Sequence, residues 1–362
     1  MKKTTPMKKR PKRVVGIDLS DESFLYEELD RDGEVIASGS VKLTRETLRA
    51  FLRERPKGTR VAFEAGGQSI WVRDEVEAAG HEAIVADPRR VPQITEKRHR
   101  SDAVDAAGLA HYALVSPKTL NPVKLRPSAQ QTSMSVIRCR SVLVEARTRL
   151  INAVRGLVKL GGHRIAKCDA ASFADRALDG LPSPERETVT PMVRAIRQLS
   201  EEIDHYDQVI EELADSKYPE TRYLRQVPGV GTLTALTYLL TLSSPDRVKR
   251  SRDVGPMLGL VPARRQSGEQ DPHLGITKTG NVYLRKLLVQ CAQHVLGKRG
   301  VDSALRQWGL AHVGRSRATK KRAVVAVARK LAVLLHRLWA RQEAYCPFPV
   351  NESPQPAPRC AA

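Results

Sequence analysis

Hydrophobic and polar positions change rhythm along the chain, and each change predicts a different kind of element. Residues 13–20, RVVGIDLS, form an apolar run that ends in Asp18 and read as a buried strand. ESFLYEELD and EVIASGSVKL, separated by the turn pair Asp32-Gly33, read as two further strands of a hairpin. TRETLRAFLRERP has helical spacing, with Thr44 as N-cap and Leu48, Phe51 and Leu52 on one face. TRVAFEAG is a fourth strand that ends at Glu64, before Gly66-Gly67. QSIWVRDEVEAAG follows as a helix closed by Gly80, then HEAIVADP as a fifth strand. After the basic stretch Lys97, Arg98, Arg100, the segment SDAVDAAGLAHYAL reads as a third helix N-capped by Ser101. Three strands, then helix, strand, helix, strand and helix, predict a mixed α/β sheet layered with helices.

From about residue 128 to 215 the period becomes helical throughout. Two long helices are expected there, the second broken or bent near Pro191, and the two suit an antiparallel pair. Such helices serve most often as scaffolds or dimerisation elements. Region 221–300 opens with YLRQVPGVGTLTALTYLLTL, where Pro228-Gly229-Val230-Gly231 between helical runs resembles a helix-hairpin-helix. Gly229 and Gly231 let backbone approach a phosphate, and the next helix offers free N–H groups. The same four residues also read as a tight interhelical turn. Residues 317–345 form a basic helix, the Pro-rich tail from Cys346 reads as disordered, and there is no internal repeat.

Charge sharpens the picture. The chain of 362 residues carries 61 Lys+Arg against 40 Asp+Glu, a formal net charge of +21. A surplus of this size in a chain with 41% hydrophobic residues points to a polyanionic partner, DNA or RNA, ahead of an anionic membrane surface. No stretch reaches the ~18 apolar residues of a membrane span, and the N-terminus has no signal-peptide core. MKKTTPMKKRPKR is instead a basic, disordered arm suited to phosphates. Five scattered cysteines show neither a disulfide framework nor metal spacing, which fits a reducing cytoplasm.

Four carboxylates stand out against that basic background. Asp18 and Glu64 end strands one and four, while Asp102 and Asp105 sit at i and i+3 on one face of the third helix. If strands one and four are parallel neighbours, both carboxylates emerge at the sheet edge where α/β folds place their sites. Four converging carboxylates repel one another unless divalent cations neutralise them, and oxygen-only ligation suits Mg²⁺, with Mn²⁺ as the alternative, rather than zinc. Two such ions assist phosphodiester transfer by activating a nucleophile and stabilising the leaving oxygen. Each residue alone also has a bland reading: Asp18 capping a turn, Glu64 pairing with an arginine, Asp102 and Asp105 complementing a helix dipole. His99, His111 and His273 lack ligand spacing.

The order of these elements resembles the RNase H-like fold of the RuvC type. More narrowly, "VVGIDLS", "FEAGG", "SDAVDAAGLA", "LINAVRGLVKLGG", "VPGVG" and "GLVPARRQSG…GITKTGNVYLRKLLVQCA" together resemble the DEDD transposases of the insertion-sequence one-hundred-and-ten class, the bridge-RNA-guided recombinases. The resemblance runs from about residue 13 to 300. It implies an α/β RuvC-like domain at 13–127 after the arm 1–12. A helical coiled-coil dimerisation region would follow at 128–215, a mainly α-helical serine-bearing transposase domain at 216–345, and a tail at 346–362. It implies Mg²⁺ on Asp18, Glu64, Asp102 and Asp105, and Ser267 of "RRQSG" as a nucleophile that forms a covalent protein–DNA intermediate.

A hydroxyl flanked by Arg264 and Arg265 and followed by Gly268 suits attack on phosphate, because guanidinium groups stabilise the developing charge. Lys278 and Arg285 are further phosphate-facing candidates, and both also read as solvated surface charges. The implied partners are donor and target DNA, a guide RNA, and further copies of the chain in a dimer or tetramer. The competing reading is a RuvC-like nuclease or junction resolvase in which water attacks and Ser267 is idle. An ATPase of the actin/sugar-kinase type fails on order, since Gly66-Gly67 comes too early for its second phosphate loop and no later adenosine motif follows.

Overall fold

A computed structural model describes residues 11–88, 102–265, 274–314 and 316–349, and for Asp102, Ala103 and Arg317 the backbone alone. The chain divides into two compact units, Met1–Ala129 and Gln130–Ala362.

The first unit is a mixed sheet between helices. Its elements are β1 (Val14–Leu19), β2 (Ser23–Leu29), β3 (Val35–Lys42), α1 (Arg45–Arg53), β4 (Arg60–Glu64), α2 (Ser69–Ala78), β5 (Glu82–Ala86) and α3 (Asp102–Val115). The spatial order is β3-β2-β1-β4-β5. The first three strands form an antiparallel meander, whereas β4 runs parallel to β1 and β5 parallel to β4. The turn between β2 and β3 is built as the sequence predicts: Asp30 Oδ1 accepts from the backbone N–H of Asp32, Gly33 and Glu34, and Gly33 takes φ 97°.

Strand alternation sorts the core onto two faces. Val15, Ile17, Val61 and Phe63 face Leu48, Phe51 and Leu52 of α1 and Val72 and Val76 of α2. Val14, Ala62, Ile84 and Ala86 face Leu109 and Ala113 of α3. Thr44 caps α1 through a reciprocal capping box with Thr47. Gly80, at φ 81°, closes the turn after α2.

The second unit is helical. It holds α4 (Ser128–Leu160, entered from the first unit), α5 (Phe173–Arg176), α6 (Ser183–Ser216), α7 (Thr221–Arg225), α8 (Thr232–Leu242), α9 (Val254–Met257), α10 (Val282–Leu296), α11 (Ala304–Ala311) and α12 (Arg317–Arg341). The expected antiparallel pairing of α4 with α6 is present. Arg140 binds Asp207 at 2.5 Å, and seven residues further along α4, Arg147 reaches Ser200, seven residues back along α6. Ile151, Val154 and Val158 continue the seam against Val189, Val193 and Ile196.

Two expectations for this region change. Residues 161–182 are not continuous helix but a connector with a single short helix, turned by Gly162 at φ 84° and Gly180 at φ 68°. Its Phe173, at the start of α5, fills the seam between α4 and α6, so the apolar positions that mimic continuous helical spacing are core contacts of the connector. Of the break or bend expected near Pro191, the break is absent: α6 runs through it as one element. Val189 and Val193 are buried on either side, and that packing offsets the ~3 kcal/mol a helical proline costs.

The helices that follow α6 build a second core. α8 is buried at every position but Leu233, and Tyr238 donates to the Ala332 carbonyl at 2.6 Å. The basic helix α12 is amphipathic: Val327, Leu331, Leu335 and Leu338 sink into the core while its cations stay outside. Residues 346–349 are not free tail, since the Pro347 carbonyl accepts from Ala304 N–H at 2.9 Å. Residues 350–362 and 1–10 lie outside the described residues. Among the described residues no helix is long and apolar enough to cross a membrane, and Cys139, Cys168, Cys291 and Cys346 are free thiols.

Candidate active site and nucleic-acid interface

The parallel register pairs Val14 with Arg60 and Ile17 with Phe63, which brings Asp18 level with Glu64 as the two strands leave the sheet. Alternation places Asp18 on the side of Val14 and Gly16, and Glu64 on the side of Ala62. That is the face covered by α3.

The direction of α3 decides what meets them. Arg60, at the start of β4, donates from Nη1 to the Ala113 carbonyl at 2.7 Å, so the later turns of α3 lie over the strand starts. Ala106 and Ala110 cross over Gly16. The helix therefore runs antiparallel to β1 and β4, and its first turns, with Asp102 and Asp105, point towards the edge where Asp18 and Glu64 stand. Asp18, Glu64 and Asp105 are each half-buried.

The glycine turn after Glu64 is clipped at this edge. Gly66 N–H donates to Ser69 Oγ at 2.5 Å, and Ser69 Oγ donates to the Glu64 carbonyl at 3.0 Å. Gln68 Nε2 donates to the Ser20 carbonyl at 2.9 Å, tying the exit of β4 to the exit of β1. Among the described side chains no three His, Cys, Asp or Glu close into a metal-binding group, and Asp102 is described by its backbone alone. The donor chemistry nevertheless fits a hard cation, since all four positions offer carboxylate oxygen.

Ser267 lies outside the described residues, as do Gln266 and Gly268. The feet of its segment are described. Ala263 N–H donates to the Gly275 carbonyl at 2.8 Å, and Thr277 N–H to the Val261 carbonyl at 2.9 Å. Pro262 pairs with Ile276 between them, so the serine segment leaves and re-enters the unit through a short antiparallel ladder. Arg264 and Arg265 stand exposed just beyond it. α10 starts close behind, N-capped by Asn281, whose Oδ1 accepts from Leu284 N–H at 3.0 Å.

The basic candidates divide. Lys278 is exposed, in the left-handed region at φ 57°. Arg285 is neither phosphate-facing nor a solvated surface charge: it is 8% exposed, and its Nη1 donates to the carbonyls of Leu258 and Thr279 at 3.0 and 2.6 Å. The reason is close crossing of two turns, where a Cβ on Gly280 would stand 2.1 Å from the Met257 carbonyl. Arg285 locks that crossing from inside.

At the PGVG turn, Gly229 takes φ 88° and packs on His294, whose Cδ2 would lie 2.8 Å from an added Cβ. Gly231 begins α8 without a side-chain cap and with open space around it. Next to it, Thr232 Oγ1 donates to Glu211 Oε2 at 2.9 Å. That carboxylate shares the helix start with any approaching anion.

Two families match the chain in the same order as these features. A family described as "Transposase", of the DEDD type, matches residues 15–161, and the family "Transposase IS116/IS110/IS902" matches residues 221–307. The transposase for insertion sequence element IS1111A of Coxiella burnetii is 31% identical over 347 residues, 92% of this chain and 91% of that protein. The chain belongs to the IS116/IS110/IS902 transposase family. A second relative, the transposase for insertion sequence element IS1328 of Yersinia enterocolitica, is 27% identical over 304 residues, 82% of this chain and 87% of that protein. The first family match spans the sheet edge with all four carboxylates, and the second spans the PGVG turn, the serine segment and α10 of this transposase.

Proposed function

We propose that this transposase cuts and rejoins DNA strands at the ends of an insertion element and at its target. Asp18, Glu64, Asp102 and Asp105 would hold Mg²⁺ or Mn²⁺, which supplies charge neutralisation and Lewis acidity when bound. Ser267 Oγ attacks the scissile phosphorus: a new O–P bond joins strand to protein, one strand P–O bond breaks, and the hydroxyl proton ends on the released strand oxygen. Arg264 and Arg265 flank that phosphate and stabilise its charge, while Lys278 and the PGVG turn at Gly229 and Gly231 offer further contacts to the backbone. A guide RNA choosing the target by base pairing, and assembly as a dimer or tetramer, complete the reading on the strength of the family resemblance.

The observation that carries this reading is the register placing Asp18 beside Glu64, with the start of α3 directed to the same edge. The test is adduct formation with labelled insertion-element ends. Asp18→Ala, Glu64→Ala, Asp102→Ala and Asp105→Ala should each abolish cleavage and leave DNA binding, and EDTA should do the same. Ser267→Ala should form no covalent adduct. Cleavage that survives Ser267→Ala, with no adduct in the unsubstituted protein, would establish water as the nucleophile instead.

A further inference from the structure

Beside the ladder that carries the Ser267 segment lies a groove of about 1210 Å³, walled by Pro262 and Ile276 on one side and by α11 and α12 on the other. It exceeds the roughly 300–1,000 Å³ of pockets that hold small ligands, so its size fits a stretch of polymer. Its chemistry narrows the polymer further. Lys321, Val325, Arg329, Val333 and Arg337 line it at four-residue intervals, and Arg322, Ala326, Lys330 and Leu334 repeat the alternation one residue on. Cations thus recur about every 12 Å along α12, with apolar steps between them.

A partner helix needs a continuous apolar stripe with its charges at the rim. Here most of the lining is apolar, Leu274, Ile276, Leu305 and Val333 among it, and the cations of α12 stand between those side chains rather than only at the rim. Among the described residues that line the groove there is no carboxylate, although Arg337 is held at 2.8 Å by Glu343 from outside. Trp308 adds an aromatic wall, with Lys330 Nζ 4.1 Å from its ring centre and the His312 ring at 4.3 Å. Alternating cations and apolar steps beside a tryptophan match a strand that alternates phosphates with flat bases.

We infer that this groove binds unpaired DNA, a short single-stranded stretch next to the phosphate that Ser267 attacks. The choice of DNA rests on the proposed function, because the ladder bearing the serine forms the groove wall. On binding, phosphates take the cations of α12, and a base replaces Lys330 over the indole.

Titration of the full chain with a short oligothymidylate, read by tryptophan emission, tests the site. The expected result is a saturable change that disappears in Trp308→Phe. In the double variant Lys321→Gln/Arg322→Gln, binding should weaken and its salt slope flatten by about 1.4, two single-strand phosphate contacts. Both residues are exposed on α12, so the melting curve should not move. No Trp308-dependent change, or unaltered affinity in the double variant, overturns the inference. So does oligouridylate binding where oligothymidylate does not, which makes the groove an RNA site, or an emission change driven by protein concentration alone, which makes it a contact between copies. The adduct assay is independent: oligothymidylate binding without any adduct in the unsubstituted protein would sink the nucleophile and leave the groove standing.

Discussion

Gly16 lies directly beneath Ala106: a Cβ on Gly16 would stand 2.0 Å from the Ala106 carbonyl oxygen and 2.4 Å from the Ala110 nitrogen. Both near atoms are backbone, so no side chain can swing aside. Gly16→Ala must lift α3 off β1, and with it the helix start that brings Asp102 and Asp105 to the edge. The expected cost is about 1–3 kcal/mol or more of stability, with loss of strand cleavage. Calorimetry and a cleavage assay check both, and an active Gly16→Ala protein with an unchanged melting curve would refute the close approach.

Glu75 gives the first unit a defined acid limit. It is buried on α2, and its carboxyl is held below the ordinary carboxylate range, first by the Arg49 hydrogen bond at 2.6 Å and then, against burial, by Arg45. A depressed carboxyl contributes stability that is complete above its unfolded pKa and is lost as pH falls through the folded value. Stability should therefore decline below about pH 4.3. Glu75→Gln should cost about 1–3 kcal/mol at neutral pH and flatten that acid limb. Circular-dichroism melts from pH 7 down to 3 are the measurement.

Arg285 and Lys278, seven positions apart, should respond in opposite ways. Arg285→Ala leaves the Leu258 and Thr279 carbonyls without their cationic donor and should destabilise the unit by about 1.5–3 kcal/mol. Lys278→Ala should leave the melt alone and reduce the salt slope of duplex binding by about 1. Binding by the unsubstituted chain, with roughly 6–10 phosphate contacts, should itself fall about 10³–10⁵-fold between 50 and 200 mM salt. A flat titration would mean that the net charge of +21 serves something other than nucleic acid.

What could be read from sequence was local. Thr44 and the Leu48, Phe51, Leu52 face of α1 follow from a capping signal and a helical period within ten residues, and both are present. The pairing of Asp18 with Glu64 was conditional, because only long-range register makes β1 and β4 parallel neighbours. Residues 161–182 and Arg285 misled for a shared reason. Apolar spacing and positive charge do not say whether a residue packs from a short connector helix, as Phe173 does, or clamps carbonyls from within, as Arg285 does. On α12, the charge was obvious, but its four-residue alternation with valine, alanine and leucine has meaning only beside the ladder and Trp308.

The pairing of α4 with α6 leaves one face of α4 unused, and that face bears on how many chains make an active site. Val142, Leu157 and Leu160 are 63%, 42% and 85% exposed. Helical spacing puts them within about 60° of one another, away from the seam of Ile151, Val154 and Val158. These three exposed apolar side chains, with Arg149 between them on the same face, suit contact with a second copy of the chain. Val142→Glu combined with Leu160→Glu should leave the fold intact and shift sedimentation towards the monomer. If the carboxylates of one chain serve the serine of another, the two elements need not come from the same protomer. Inactive Asp18→Ala and inactive Ser267→Ala proteins, mixed, should then recover part of the cleavage through hybrid sites. Adding the two glutamates to both partners should remove that recovery. A mixture that stays inactive despite verified hetero-oligomers would mean that each chain carries its own complete site.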